Sequence, residues 1–211
     1  MTATTGIVDA VSILSLGRVF VANMTGNVVF VGFALAGAKG FSLAASLFAL
    51  GGFLLGAVGA GAALRTFELN RAELTRNGVA VELGLLTLGL VLAVFAGVPV
   101  PAAYADAIAL ALATALGLQN SFVRRLSVPD LTTTVLTMTL TGIAADTPNG
   151  DPTVIGRRIL AVLAMLVGAG CGALLVLHES PAAALGLSVL LMSAVLLAAC
   201  VAANDEAEWQ K

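Results

Sequence analysis

The side chains in this chain that can do chemistry come in two runs. Near the start stand Gly6, Asp9 and Ser12, followed by Asn23, Thr25, Gly26 and Asn27 in the string Ala22-Asn-Met-Thr-Gly-Asn27. In the second half stand Gly117, Gln119, Asn120 and Ser121, followed by Asp130 and a threonine run that includes Thr134, Thr137 and Thr141. The residues around these runs are almost all Ala, Leu, Val and Gly. Amides, hydroxyls and carboxylates are costly in hydrocarbon unless they face a partner or a water-filled cavity. Such groups in corresponding positions of two halves point to an intramembrane binding site or pathway. Its candidate lining is Asp9, Ser12, Asn23, Thr25, Asn27, Asn120, Thr134 and Thr137.

Each of these residues also has a structural reading. Asn23 and Asn27 are four apart and would share one face of a helix. They fit a cavity wall and interhelical hydrogen bonding equally well. Thr134, Thr137 and Thr141 form one stripe, but threonine hydroxyls in a helix often bond back to their own backbone. Asp9, a carboxylate a few residues into an apolar run, is the best single candidate for a proton or cation site. Its counterpart, Asn120, cannot ionise. Glu82 and Asp106 fall in the first turns of their apolar segments, where an acidic residue complements the helix dipole. Asp130 reads as an N-cap. His178 sits in a short loop with no metal-ligating neighbours, and Arg124 with Arg125 reads as an orientation anchor. Cys171 and Cys200 are isolated in apolar runs and read as packing residues.

The surrounding composition fixes the class. Apolar residues make up 59% of the 211-residue chain and charged residues 10%, and mean hydropathy is +1.04. Soluble domains carry about 25% charge. The expected fold is all-α, a polytopic transmembrane helical bundle forming one integral membrane domain over 1–211. Continuous apolar runs exclude a β-barrel, and no basic stripe suggests nucleic acid. Eight apolar segments are expected, over 3–17, 19–38, 41–64, 79–98, 102–123, 131–146, 154–177 and 182–203. Six to eight of them would be full crossings, at about 20 residues each. The first segment is short, as though the chain begins partway through a helix. The polar connection 65–78 would form an amphipathic turn at the membrane surface.

The chain also reads as two similar four-segment halves, about 1–98 and 102–203. A shift of 111 places Gly6 on Gly117, Asp9 on Asn120 and Asn23 on Thr134; a shift of 112 places Gly56 on Gly168. Gly52 and Gly56 then match Ala164 and Gly168, and Gly172 follows one turn later. Small residues four apart allow close helix crossings in lipid, so Gly52, Gly56, Gly168 and Gly172 are assigned to helix packing. If all eight segments cross, the halves share one orientation, related by an axis along the membrane normal. Arg65, Arg71 and Arg76 place their loop in the cytoplasm. Arg157 and Arg158 lie outside if 131–146 crosses and inside if it is re-entrant; crossing is the expectation, because its match 19–38 is long enough to cross.

The strings Gly6-Ile-Val-Asp9-Ala-Val-Ser12, Phe20-Val-Ala-Asn23-Met-Thr25-Gly26-Asn27 and Asp130-Leu-Thr-Thr-Thr-Val-Leu-Thr137 resemble the signature of the YoaK-like family. These are small bacterial membrane proteins carrying a domain of unknown function, with about six transmembrane helices. The resemblance covers essentially the whole chain. It implies a multi-pass protein of the bacterial inner membrane and no particular reaction. No zinc motif, nucleophile elbow or phosphate-cradling loop is present, so neither an enzyme nor a resident metal or cofactor is expected. The leading functional expectation is a small-solute or ion transporter or channel. The alternative is a membrane scaffold or partner subunit whose polar motifs only lock helices together. Its partners would be the lipid bilayer and a small solute or ion, and a homo-oligomer is compatible with the sequence.

Overall fold

The structure is a computed structural model that describes residues 1–66, 71–126, 136–146 and 151–204. Among these residues the chain is helical throughout its regular structure. The helices are α1 (Thr2–Ser15), α2 (Met24–Leu35), α3 (Leu43–Thr66), α4 (Arg71–Ala96), α5 (Ala102–Leu126), α6 (Leu136–Asp146), α7 (Pro152–His178) and α8 (Pro181–Asn204). Five of them, α3, α4, α5, α7 and α8, are long and apolar enough to cross a membrane. Their outer faces carry exposed Leu55, Val58, Phe95, Leu166 and Leu190, the surface that lipid covers.

The remaining helices are too short. α1, α2 and α6 have 14, 12 and 11 residues, or roughly 21, 18 and 16 Å of rise against a hydrocarbon core of about 30 Å. The expectation that 19–38 forms a crossing helix is therefore corrected. Gly17 and Arg18 have φ of 89° and 59°, so helix α1 stops at Ser15, and helix resumes only at Met24. The described residues of the polar connection at 65–78 are helical. α3 runs to Thr66 and α4 begins at Arg71, with Glu73 in the first turn of α4, where its charge suits the helix dipole. The Arg71 Nη2 donates to the Leu126 carbonyl at 2.7 Å and so satisfies an orphan acceptor at the end of α5.

Two glycine-mediated crossings organise the bundle. In the first, α3 lies along α5. A Cβ on Gly56 would collide with the Thr114 carbonyl, one on Gly117 with the Phe53 carbonyl, and one on Gly52 would lie 2.6 Å from the Leu110 carbonyl. In the second, α1 lies along α7: Gly168 meets Ala3, Gly6 meets Met165, and a Cβ on Gly172 would lie 2.8 Å from the Ile7 Cα. All four glycines assigned to helix packing thus sit at close backbone contacts. The order of contacts shows that each pair runs parallel. α4 covers α5 and also packs on α8, α2 packs on α3, and α6 packs on α7. The most deeply buried apolar side chains include Ile108, Leu112, Leu116 and Phe122 of α5, which puts α5 at the centre.

The two parallel pairs run in opposite directions. Thr5 of α1 reaches Gln119 of α5, and neighbouring Ser121 donates to Ala57 of α3 at 3.2 Å. At the other end of α1, Gly17 lies beside Ser42 and Ala45, at the start of α3, and Gly40 lies beside Arg18. α1 therefore runs from the middle of α3 back toward its beginning, against α3 and α5, and α7 runs with α1. The shared direction was expected only if all eight segments cross, and α1, α2 and α6, with 14, 12 and 11 residues, are too short for that.

The opposite directions also decide the path from α5 to α7. α5 ends and α7 starts at the same end of the bundle, which leaves no crossing for α6 to make. Its 11 residues are too few, and Gly142 rests against the Arg158 guanidinium near the start of α7. Arg71, Arg76, Arg124, Arg125, Arg157 and Arg158 consequently share one end, with Arg18 and Lys39 at the other. α7 begins there under Asp151, whose carboxylate accepts the Thr153 N–H and hydroxyl at 2.8 Å each. Those bonds, the backbone one first, hold it below the usual carboxylate range.

Cysteines placed at Asn77 and Thr153, in a background with Cys171 and Cys200 replaced by Ser, should label from the same face of the membrane. A cysteine at Lys39 should label from the opposite face. Thr153 labelling together with Lys39 would mean that α6 crosses and that this topology is wrong.

Candidate functional site

The expected site residues fall into three groups. Asp9 and Asn27 are buried, and both are engaged with main chain. The Asp9 Oδ1 accepts the N–H groups of Val21 at 3.1 Å and Ala22 at 3.2 Å. The Asn27 side chain accepts the Phe20 N–H at 2.9 Å and donates to the Phe20 carbonyl. The segment they hold, 16–23, is non-helical, yet its Leu16, Val19 and Val21 are fully buried. Backbone groups in such a segment have no helical partner, and leaving them unpaired away from water costs about 1–3 kcal/mol each. Here side chains supply the partners. Ser12, also buried, donates to the Asp9 carbonyl at 3.0 Å, which keeps it within α1.

Asn23 and Thr25 are exposed. Asn23 occupies the N-cap position of α2 with φ −106° and makes no side-chain cap bond. Asn23 and Asn27 therefore do not share a helical face, because the helix begins between them. Thr137 is exposed on α6, where its carbonyl accepts the Thr141 hydroxyl at 2.9 Å, the back-bonding that makes a threonine stripe self-sufficient. Thr134 lies outside the described residues. Asn120 is half-buried on α5. Among the described residues α1 and α5 touch, while α2 packs on α3 and α6 on α7.

What meets at the centre is a different set. Glu82 of α4 is fully buried. Its Oε1 accepts the Gln119 Nε2 at 2.7 Å, and the Gln119 Oε1 lies 3.5 Å from the Thr5 hydroxyl, which also lies 3.3 Å from the Met1 carbonyl. The Glu82 Oε2, and the Oγ1 of Thr4 beside Thr5 in sequence, are buried without a hydrogen-bond partner among the described residues. Three helices thus place a carboxylate, an amide and a hydroxyl in line. Glu82 stands 11 residues after Arg71 and 14 before Ala96, about 16 and 21 Å from the two ends of α4.

The sequence reading placed Glu82 in a first helical turn. That is corrected, because α4 starts at Arg71, about two turns earlier than the apolar pattern suggests. Gln119 was visible as part of a polar run, but nothing in spacing alone connects it to a residue 37 positions away. Among the described residues no group of three or more His, Cys, Asp or Glu side chains is arranged to hold a metal ion.

Comparison with known proteins adds a family. The model of a family described as a protein of unknown function, DUF1275, matches residues 1–200. The UPF0700 transmembrane protein YoaK of Bacillus subtilis (strain 168) is 34% identical over 145 residues, covering 68% of this chain and 62% of that relative. The aligned part is thus less than two thirds of the relative's length. No solved structure matches the chain.

Proposed function

From a chain that belongs to the DUF1275 family of YoaK-like membrane proteins, we propose a transporter or channel for a small solute or ion in the bacterial inner membrane, carrying its substrate rather than converting it. The observation that carries the reading is Glu82, a carboxylate fully buried midway along a membrane-length helix, with one oxygen lacking a hydrogen-bond partner among the described residues. An ionisable group at that depth is expensive, and its usual use is to carry a proton or a cation. Gln119 and Thr5 are the polar neighbours along which the path would run.

The helix directions support a second part of the proposal, that the two halves are inverted copies. Gly117 meets Phe53 as Gly6 meets Met165, and Gly56 meets Thr114 as Gly168 meets Ala3. These are the same contacts displaced by 111 residues on one helix and 112 on the other, and the partners run in opposite senses. The break between α1 and α2 belongs to the same plan. Inverted repeats with interrupted helices and a polar site near the midplane are the build of many secondary transporters.

The scaffold reading keeps specific support at Asp9 and Asn27, since the Asp9 Oδ1 and the Asn27 amide bond the backbone of 16–23. In our reading these two lock the fold, and the transporting role moves to Glu82.

The test is Glu82→Gln in proteoliposomes loaded with a pH-sensitive dye under imposed proton and potassium gradients, alongside thermal stabilisation of the purified protein by a panel of small cations and solutes. The variant keeps the shape and the bond to Gln119. It should melt near the parent while flux and ligand-dependent stabilisation fall to background. Parent-like flux in Glu82→Gln, or a parent that neither conducts nor responds to any solute, would leave the scaffold reading.

A further inference from the structure

We propose that the basic end of the α3–α5 crossing is a binding site for an anionic phospholipid of the leaflet on that side. Two adjoining grooves of about 460 and 360 Å³ run along this crossing and share Gly61, Leu64 and Arg125. The first is walled by Leu54, Ala57 and Val58 of α3, and the second reaches Ser121 and Arg124 of α5. Leu54, Val58, Arg124 and Arg125 are exposed.

The groove is therefore graded. Positions 54, 57, 58, 61 and 64 lie on one side of a helix, and ten residues of rise make an apolar trough about 15 Å long. That trough ends on two guanidiniums. Among the described residues, those forming it are apolar apart from Ser121, Arg124 and Arg125. The Ser121 hydroxyl is turned to the Ala57 carbonyl, so the charge at the head of the trough comes from arginine. A phosphate on the guanidiniums with an acyl chain along the trough matches this order of surfaces. A free anion would leave the apolar part unused. Basic pockets between transmembrane helices at one membrane face suit anionic headgroups, and the other arginines of this end add to the attraction.

Gly61 is what keeps the trough open. A Cβ there would meet nothing within 4 Å, so the glycine is not required by helix packing, in contrast to Gly56 one turn earlier. The related α1–α7 crossing supplies a control. The same displacement of 111 and 112 residues puts Ile13 and Leu14 where Arg124 and Arg125 stand, Ala10 for Ser121 and Ala173 for Gly61. That crossing packs in the same way without the cations, so the arginine pair is an addition to one face rather than part of the packing scheme.

The experiment is native mass spectrometry of the full chain in detergent, titrated with phosphatidylglycerol or with phosphatidylcholine, with and without excess inorganic phosphate. The parent should retain phosphatidylglycerol in preference and hold it against phosphate. Arg124→Gln with Arg125→Gln should weaken retention about 30-fold, from two charges near the membrane surface. Gly61→Leu should fill the trough and weaken retention with both arginines present, while Ala173→Leu should change nothing. Melting points of the variants establish that each is folded, and Gly61→Leu, which enters open space, keeps the test alive if the charge variant is unstable.

Equal retention of the two lipids by the parent, or unchanged retention in the arginine variant, overturns the proposal. Displacement by phosphate, or a parent-like Gly61→Leu, also overturns it, in favour of an anion at the helix end.

Discussion

Gly56→Leu and Gly168→Leu should each destabilise the protein by about 3 kcal/mol or more, at the upper end of overpacking effects. Gly59→Leu and Gly170→Leu, on the same two helices, should be tolerated. The difference lies in what a Cβ meets. At Gly56 it runs into the Thr114 carbonyl and the Leu118 amide, and at Gly168 into the Ala3 main chain. These are backbone atoms of a helix, which cannot rotate away as a side-chain tip can, so the helices must separate along the crossing and every contact there is weakened. At Gly59 and Gly170 a Cβ meets nothing within 4 Å, and replacing glycine in a helix removes a penalty of about 1 kcal/mol. Thermal or detergent-induced unfolding of the four variants measures this directly. A Gly56→Leu protein as stable as Gly59→Leu would mean that α3 and α5 do not cross where Gly56 stands.

The same glycines mark how far the sequence could be read. Gly52, Gly56, Gly168 and Gly172 are legible because a four-residue rhythm of small residues has one common physical use in lipid, and all four lie at backbone contacts. The direction of the helices was not legible. It depends on where the chain stops being helical, and the interruption at 16–23 is written in Leu16, Val19, Phe20, Val21 and Ala22. Apolar residues of this kind serve equally for a helix facing lipid and for an extended segment buried inside protein.

The opposite error occurred at 71–78. There Arg71, Glu73 and Arg76 made two helical turns look like a loop, and so displaced Glu82 from the middle of α4 to its start. Once α4 begins at Arg71, a carboxylate facing Gln119 becomes the best candidate for chemistry. Asp9, the most suggestive residue in the sequence, becomes a backbone partner. The polar types were readable in both cases; what they bonded to was not.

Asp9→Ala should unfold or strongly loosen the connection between α1 and α2. It removes the acceptor for the Val21 and Ala22 amides, and two buried N–H groups without partners cost about 2–5 kcal/mol together. Asp9→Asn should be much milder, because its side-chain carbonyl can still accept from both, and only the charge-assisted part of each bond is lost. Asn27→Ala removes the two bonds to Phe20, so it strikes the same segment from the α2 side. The two effects should not add. Once 16–23 has swung away from one clamp, the other holds a strand that is already free at its far end, and the double variant should lie well short of the sum. Melting points for the three alanine proteins, with hydrogen exchange across 16–23, read out both the cost and its place. A pathway role for the carboxylate makes the opposite pattern, in which Asp9→Ala melts like the parent, keeps 16–23 protected and loses flux. That result would return Asp9 to the site and remove the assignment of 16–23 as a segment held by its side chain.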